Sequence, residues 1–367
     1  MADVQVTSEV QQWLNKVNKE WVRGERFGPY SGTQQNSVFR NIMDLQSKPG
    51  VAVNVPMIGK LSNAGVTGDN TLRNNEEAPS NWNHQVNTDQ YRNAIRIGRH
   101  EQAKSQIQFL KEYGSLLQAW AMEHLRDLKI AAMLSPVVDG VTAYASATEA
   151  QKDAWTDAQY TSATNARVLF GNAISNLSQS APAGGATNDH SASLDAVDSS
   201  NDTLDTGMGQ LAKRMAQTAS RAIQPLRLGS PNREIFVMFC PPRAFRDLAA
   251  DTTMTQANRD ARQRGLDNPI FKGGDLWHDG VLYVEVPEIA TLSGVGNGSI
   301  DVDPCFLCGA LSVGVAWKEK MHFIEETQDF KNLMARGVAF DYGVEKLMWN
   351  NQQNGQVTVY ASGVADS

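Results

Sequence analysis

The stretch "EIFVMFCPPRAFRDLAAD", Glu234 to Asp251, is the one whose reading decides the fold class. "EIFVMFC" is a short, unbroken apolar run suited to a strand buried on both faces. Pro241 and Pro242 end it, because proline removes a ladder donor, and "PPRAFRDLAAD" opens a helix behind them. Outward from here, "GVLYVEVPEI" (Gly280 to Ile289), "DPCFLCGALSVGVAW" (Asp303 to Trp317) and Gln356 to Tyr360 of the tail also read as strands. Strands and helices interleave along this last third, which predicts an α+β fold with a mixed sheet flanked by helices rather than a pure sandwich.

Upstream, Glu101 to Leu134 repeats Ile107, Leu110, Gly114, Leu117, Ala121, Leu125 and Leu128 at spacings of three and four. That pattern predicts a long amphipathic helix with Lys104, Lys111, Glu123 and Lys129 mostly on the wet side, and Gly114 at a close crossing. Residues 8–27 carry Val10, Trp13, Leu14, Val17 and Trp21 in helical spacing, followed by the breaker-rich "GPYSGTQQNS". "VAVNVPMIGKL", Val51 to Leu61, and "QVNTDQYRNAIRI", Gln85 to Ile97, read as strands joined by a long polar segment rich in Asn and Gly. An isolated hairpin is marginal in water, so this projecting arm needs a partner surface. Residues 135–205 turn polar and reach low complexity in "SQSAPAGGATNDHSASLDAVDSSNDTLDTG", which predicts an inserted lobe with a mobile end. A helix resumes at "GMGQLAKRMAQTASRAI".

The 367 residues carry 33 basic and 40 acidic side chains, a formal net of -7. This balance excludes a chain whose main task is to clamp nucleic acid, since phosphate neutralisation needs clustered Lys and Arg. No apolar stretch is long enough for a membrane-spanning helix, and the N-terminus has no signal-peptide pattern, which predicts a cytosolic site of synthesis and no membrane partner. Three cysteines make no disulfide framework.

Cys305 and Cys308 spell CxxC, but inside a strand, where side chains three apart point to opposite faces. With no second ligand pair in the sequence they read as two buried thiols. Asp301 and Asp303 of "DVDP", with His278 and Asp279 of "LWHDG", could hold a divalent cation, against the plainer reading of a solvated acidic loop. No G-x-S-x-G, Walker A or Rossmann glycine pattern appears, and no cofactor is implied. Arg233, Arg243, Arg246, Arg259, Arg262 and Arg264 alternate with Glu234, Asp247, Asp251 and Asp260. Half neutralised and without interspersed aromatics, this stretch reads as a protein-protein seam rather than a nucleic-acid patch.

The order of these parts resembles the major capsid proteins of tailed phages, the Johnson fold shared with encapsulins and the herpesvirus capsid floor, in the branch of the phage N-four coat proteins. The resemblance is carried by "IFVMFCPPRAFRDLAADTTM", "DNPIFKGGDLWHDGVLYVEVPEI", "CFLCGALSVGVAW" and "FDYGVEKLMWNNQQNGQVTVY". It implies an N-terminal arm (1–50), an extended β-hairpin loop (51–97), a peripheral domain with the spine helix and the polar lobe (98–232), and an axial domain (233–367). It also implies a non-enzymatic subunit of an icosahedral head around double-stranded DNA, assembled in the host cytoplasm. Its partners would be itself in pentamers and hexamers, portal and scaffolding proteins, a decoration protein, and packaged DNA through non-specific contact. The expected inter-subunit residues are Lys60, Asp69, Arg73, Glu76 and Glu77 on the arm and Arg243, Arg246, Arg259, Arg262 and Arg264 in the axial domain. The alternatives are an encapsulin-like compartment shell and, from another class, a metal-dependent hydrolase using Asp301, Asp303 and His278.

Overall fold

The computed structural model describes residues 23–46, 49–104, 109–228, 233–260 and 275–365. The helix read at 8–27 falls almost entirely outside them, as does "DNPIFKGG". The chain divides into two compact units. The larger comprises Arg26–Asp89, Arg126–Lys318 and Tyr342–Ser367, and the smaller Gln90–Leu125 and Glu319–Asp341 with the described part of Met1–Glu25.

In the larger unit the apolar run forms the strand Arg233–Cys240 at the centre of a mixed sheet. The order across it is Leu276–His278, Val281–Glu285, Arg233–Cys240, Val302–Cys308, Gln356–Ser362 and Val168–Phe170, with Leu226–Leu228 paired to the start of the central strand. Arg233–Cys240 runs parallel to Val281–Glu285 and antiparallel to Val302–Cys308, so Val237 sits between Leu282 and Cys308. Pro241 caps the helix Pro242–Ala250, which buries Ala244 and Leu248. One face of the sheet presents Phe236, Met238, Cys240, Cys305, Leu307, Val357 and Val359 to Met208, Ala212 and Met215 of the helix Thr206–Thr218. Each such side chain contributes about 1.5–3 kcal/mol when fully buried. On the other face Phe239 meets Phe27 edge-on, ring centroids 5.1 Å apart, and Phe39 at 6.1 Å.

Asp303 to Trp317 is two strands and not one. Val302–Cys308 belongs to the large sheet, and Val313–Gln328 pairs in parallel with Phe39–Ile42 in a second sheet. Between them the chain turns, with Leu311 in the left-handed region at φ 56°. Gly309 lies so close to the Gln224 carbonyl that a Cβ would overlap it. The flanking residues are buried on both sides, so no change in hydrophobic pattern marks the turn.

The hairpin's return strand also differs in its bounds from the sequence reading. Its strands are Ala52–Ile58 and Asn81–Asn87, while Asp89–Gly98 belongs to the other sheet. The return strand therefore begins inside the Asn-rich stretch read as loop. Its Asn residues occupy the outward face, and Val86 and His84 face inward opposite Val53 and Val55. Cross-strand pairing here outweighs the low strand propensity of asparagine.

The polar lobe is built rather than loose. Thr148 closes a capping box on the helix Glu149–Gln159, whose Asp153 and Asp157 carboxylates accept the backbone N–H groups of Ala183, His190, Thr187 and Asn188. Trp155, Leu194 and Val197 share a buried cluster here, and His190 is buried beside Trp155. Carboxylates satisfying loop amides hold a segment whose composition alone predicts disorder.

The long helix is present as Arg99–Lys104 and Phe109–Leu134. Lys129 is buried rather than wet, its Nζ 5.1 Å from the centroid of the Phe39 ring. In the smaller unit, the outer parts of Val313–Gln328 and Leu333–Lys346 form a sheet with Asp89–Gly98. On the helix side the Tyr91 and His124 rings meet at a tilt, centroids 4.4 Å apart, Trp120 lies 5.7 Å from Phe340, and Gly114 faces the Arg336 guanidinium.

Candidate functional site

The hairpin has an anchored root and an exposed tip. At the root Val53, Val55 and Val86 join a core cluster with Ile42, Leu45, Ala316 and Leu347. Glu345 reaches the return strand, accepting from the Asn87 backbone N–H at 2.8 Å and lying 3.4 Å from His84 Nε2. From the last strand pair, Ile58 with Asn81, outward the apolar side chains are no longer buried. Ile58, Leu61 and Leu72 are 73%, 64% and 61% exposed, a concentration of apolar surface on one projection.

Glu77 organises the tip. Its carboxylate accepts from the Ser62 N–H (2.7 Å), the Ser62 hydroxyl (2.8 Å) and the Asn63 N–H (2.8 Å). These bonds, led by the Ser62 amide, hold its pKa below the usual carboxylate value. Lys60, Asp69, Arg73 and Glu76 are exposed and make no intrachain ion pair among the described residues.

The arginine seam is only partly visible. Arg243 Nη1 bonds Asp301 Oδ2 at 2.8 Å, and Arg246 bonds Asp247 and, at 3.1 Å, the Val364 carbonyl. Both therefore brace the helix Pro242–Ala250 within the chain while remaining partly exposed. The Arg259 side chain and the whole of Arg262 and Arg264 lie outside the described residues.

The hydrolase alternative loses its constellation. Asp301 is engaged by Arg243, which holds its carboxyl below the usual range. Asp303 is buried, accepts from Thr291 Oγ1 at 2.7 Å, and has its pKa raised by burial. Asp279 pairs with Lys213 at 3.1 Å. Among the described residues no three His, Cys, Asp or Glu side chains are grouped to hold a metal ion. Cys240, Cys305 and Cys308 are free, buried thiols. Cys305 lies beside Cys240 on one face of the sheet, and Cys308 near Ser312 on the other. Burial raises both pKa values, that of Cys308 to about 12, which keeps these thiols protonated and unreactive.

Among the buried polar residues that the sequence reading did not single out, Lys346, His190 and Arg167 carry ionisable groups. Lys346 Nζ donates to the Ser135 carbonyl at 2.6 Å, with its pKa lowered by burial to about 7. His190, fully buried, contacts Thr156 Oγ1 at 2.9 Å. Arg167 donates to the carbonyls of Gln353, Asn354 and Arg221. Each satisfies backbone or hydroxyl groups in the interior, a fastening role that carries no sequence signal.

An α+β fold with an anchored arm that ends in exposed apolar residues and unpaired charges fits the class of structural subunits that join copies of themselves. Residues 3–365 match the family described as Phage capsid protein, and the chain belongs to that family. It is 26% identical over 357 residues to the major capsid protein of Pseudomonas phage KPP25, covering 91% of this chain and 89% of that relative. Among solved structures, the capsid of cyanophage Pam1 superposes with a TM-score of 0.88 at 32% identity, over 100% of both chains. The capsid of Ralstonia phage GP4 follows the same fold at 16% identity, with a TM-score of 0.73 over 100% of both chains. The chain is thus a phage major capsid protein of the Johnson-type fold, a structural subunit of the head shell in the virion, and neither an enzyme nor a cellular compartment shell.

Proposed function

We propose that the chain closes into an icosahedral shell of pentamers and hexamers around double-stranded DNA, with the hairpin arm as a principal inter-subunit contact. The observation that carries this reading is the contrast along the hairpin: a root packed into the core and a tip with Ile58, Leu61 and Leu72 exposed beside unpaired Lys60, Asp69, Arg73 and Glu76. Apolar burial at about 25 cal/mol per Å² supplies adhesion, while the charges fix register against a neighbour. Arg243, Arg246, Arg259, Arg262 and Arg264 form a second contact region in this reading.

The division into N-terminal arm (1–50), extended loop (51–97), peripheral domain (98–232) and axial domain (233–367) describes how the parts would serve assembly. A net charge of -7 suits an inner wall that holds DNA by loose, non-specific contact. Assembly takes place in the host cytoplasm with portal and scaffolding proteins, and a decoration protein completes the surface. Deleting residues 62–80 tests the arm: the variant should stay folded by circular dichroism yet fail to form heads. Normal heads from that deletion would remove the arm from the mechanism.

A further inference from the structure

A groove of about 320 Å³ opens on the smaller unit's sheet, between Asp89–Gly98 and the outer part of Val313–Gln328. Arg92 stands on one bank and Glu326 on the other, with Gly337 of the intervening strand Leu333–Lys346 between them, Ala94 at the basic side and Ile324 at the acidic side. Ile324 is 48% exposed, and Arg92 and Glu326 are both exposed. Neither charge has an ion pair within the chain among the described residues. Phe323, the next residue along, turns the other way, under the Arg336 guanidinium at 4.8 Å, so Ile324 belongs to the face away from Arg336. Phe39–Ile42 pairs with Val313–Gln328 only at Val313 to Ala316, and no other described strand lies along that edge further out.

The banks are opposite in sign and the knob lies beside the hollow, which is the arrangement a twofold contact requires. Rotating a second copy by 180° brings its acidic bank over the first copy's basic bank, and the converse pair forms at the same time. We propose that this groove is a self-complementary contact between two copies of the chain, with Ile324 of each seated in the other's groove and Arg92 of each opposite Glu326 of the other. A patch of this size is far below the ~1,200–2,000 Å² of a stable isolated interface, so it acts only where other contacts already hold the copies together. Its contribution is register and choice of neighbour, the usual effect of charges at a contact rim. The inference rests on the shell reading above and concerns a surface separate from the arm.

The test is charge exchange in the full chain, scored as the fraction of protein in fast-sedimenting shells beside wild type. Wild-type shells must form first; if they do not, the shell reading fails rather than this contact. Arg92→Glu and Glu326→Arg alone should each lower shell yield by about tenfold, and the double exchange should restore it to within about threefold of wild type. Melting temperatures close to wild type show that each variant is folded; should a reversal unfold the chain, Arg92→Gln and Glu326→Gln replace it, each with reduced yield expected. Full shell yield from the folded single variants overturns the proposal. So does a folded double exchange that assembles no better than the singles, because the two charges would then not face each other.

Discussion

His84 Nε2 lies 3.4 Å from Glu345 Oε2, and Glu345 Oε1 accepts from the Asn87 backbone N–H at 2.8 Å and from its side-chain amide at 3.1 Å. Glu345 is 4% exposed and His84 8%, so the hairpin root is clasped in a nearly dry setting. The exposed tip is thereby carried on a fixed base, and contact energy gained at the tip is not lost to reordering the root.

Glu345→Ala should therefore loosen the arm. It removes the acceptor of the Asn87 backbone N–H and side-chain amide, and a buried unsatisfied group costs about 1–3 kcal/mol. The expected result is a lower denaturation midpoint and faster hydrogen exchange at 84–87, with the body otherwise unchanged. An unchanged midpoint and unchanged exchange would mean the clasp carries no weight.

Two residues before Glu345, Gly343 approaches the arm so closely that a Cβ would overlap the Asn87 carbonyl. Gly343→Ala has to push the two backbones apart, which breaks the Glu345 bonds as well. The loss should exceed that of Glu345→Ala, at more than about 2 kcal/mol in chemical denaturation. A smaller loss than Glu345→Ala would contradict the packing.

His190 gives the chain an acid-sensitive interior. Burial, aided by the Lys152 charge, lowers its pKa from 6.5 to about 3. Between those values the unfolded chain binds a proton that the folded chain refuses, so stability is retained above pH 6.5 and lost as pH falls toward 3. The slope from this one group reaches at most about 1.4 kcal/mol per pH unit. His190→Gln should flatten the stability profile between pH 6.5 and 3, and an unchanged profile would place the acid sensitivity elsewhere.

The three thiols should be silent in the native protein. Ellman titration of folded chain should give no fast reaction, and all three Cys should react in denaturant. Cys305→Ala with Cys308→Ala should leave shell assembly intact, with a stability loss of about 1–3 kcal/mol from the small cavities. Failure of assembly in a folded double variant would give the pair a role beyond packing.

The central strand and the helix behind Pro241 were legible because a buried run and a proline boundary are local signals. The turn at Gly309 to Ser312 was not, because two buried strands from different sheets abut and the one polar residue in the turn, Ser312, is itself buried. Asn81–Asn87 was hidden for the opposite reason: its outward face is asparagine, and only its partners Val53 and Val55 reveal which face turns inward. The lobe at 135–205 misled through composition, since Asp153 and Asp157 fasten loops some thirty residues away in sequence. Of the expected contact residues, Glu77 proved to organise the tip from within, Arg243 and Arg246 to brace a helix, and Lys60, Asp69, Arg73 and Glu76 to stand unpaired. A single chain's sequence does not separate charges satisfied within the fold from charges left for a neighbour.

Electron cryo-microscopy of the purified full-length chain after assembly tests the central claim most directly. The account predicts closed shells in which the hairpin Ala52–Asn87 of each subunit lies with Ile58, Leu61 and Leu72 against an adjacent copy. Shells in which that tip contacts only its own subunit or solvent, or a product that remains monomeric under every assembly condition, would contradict it.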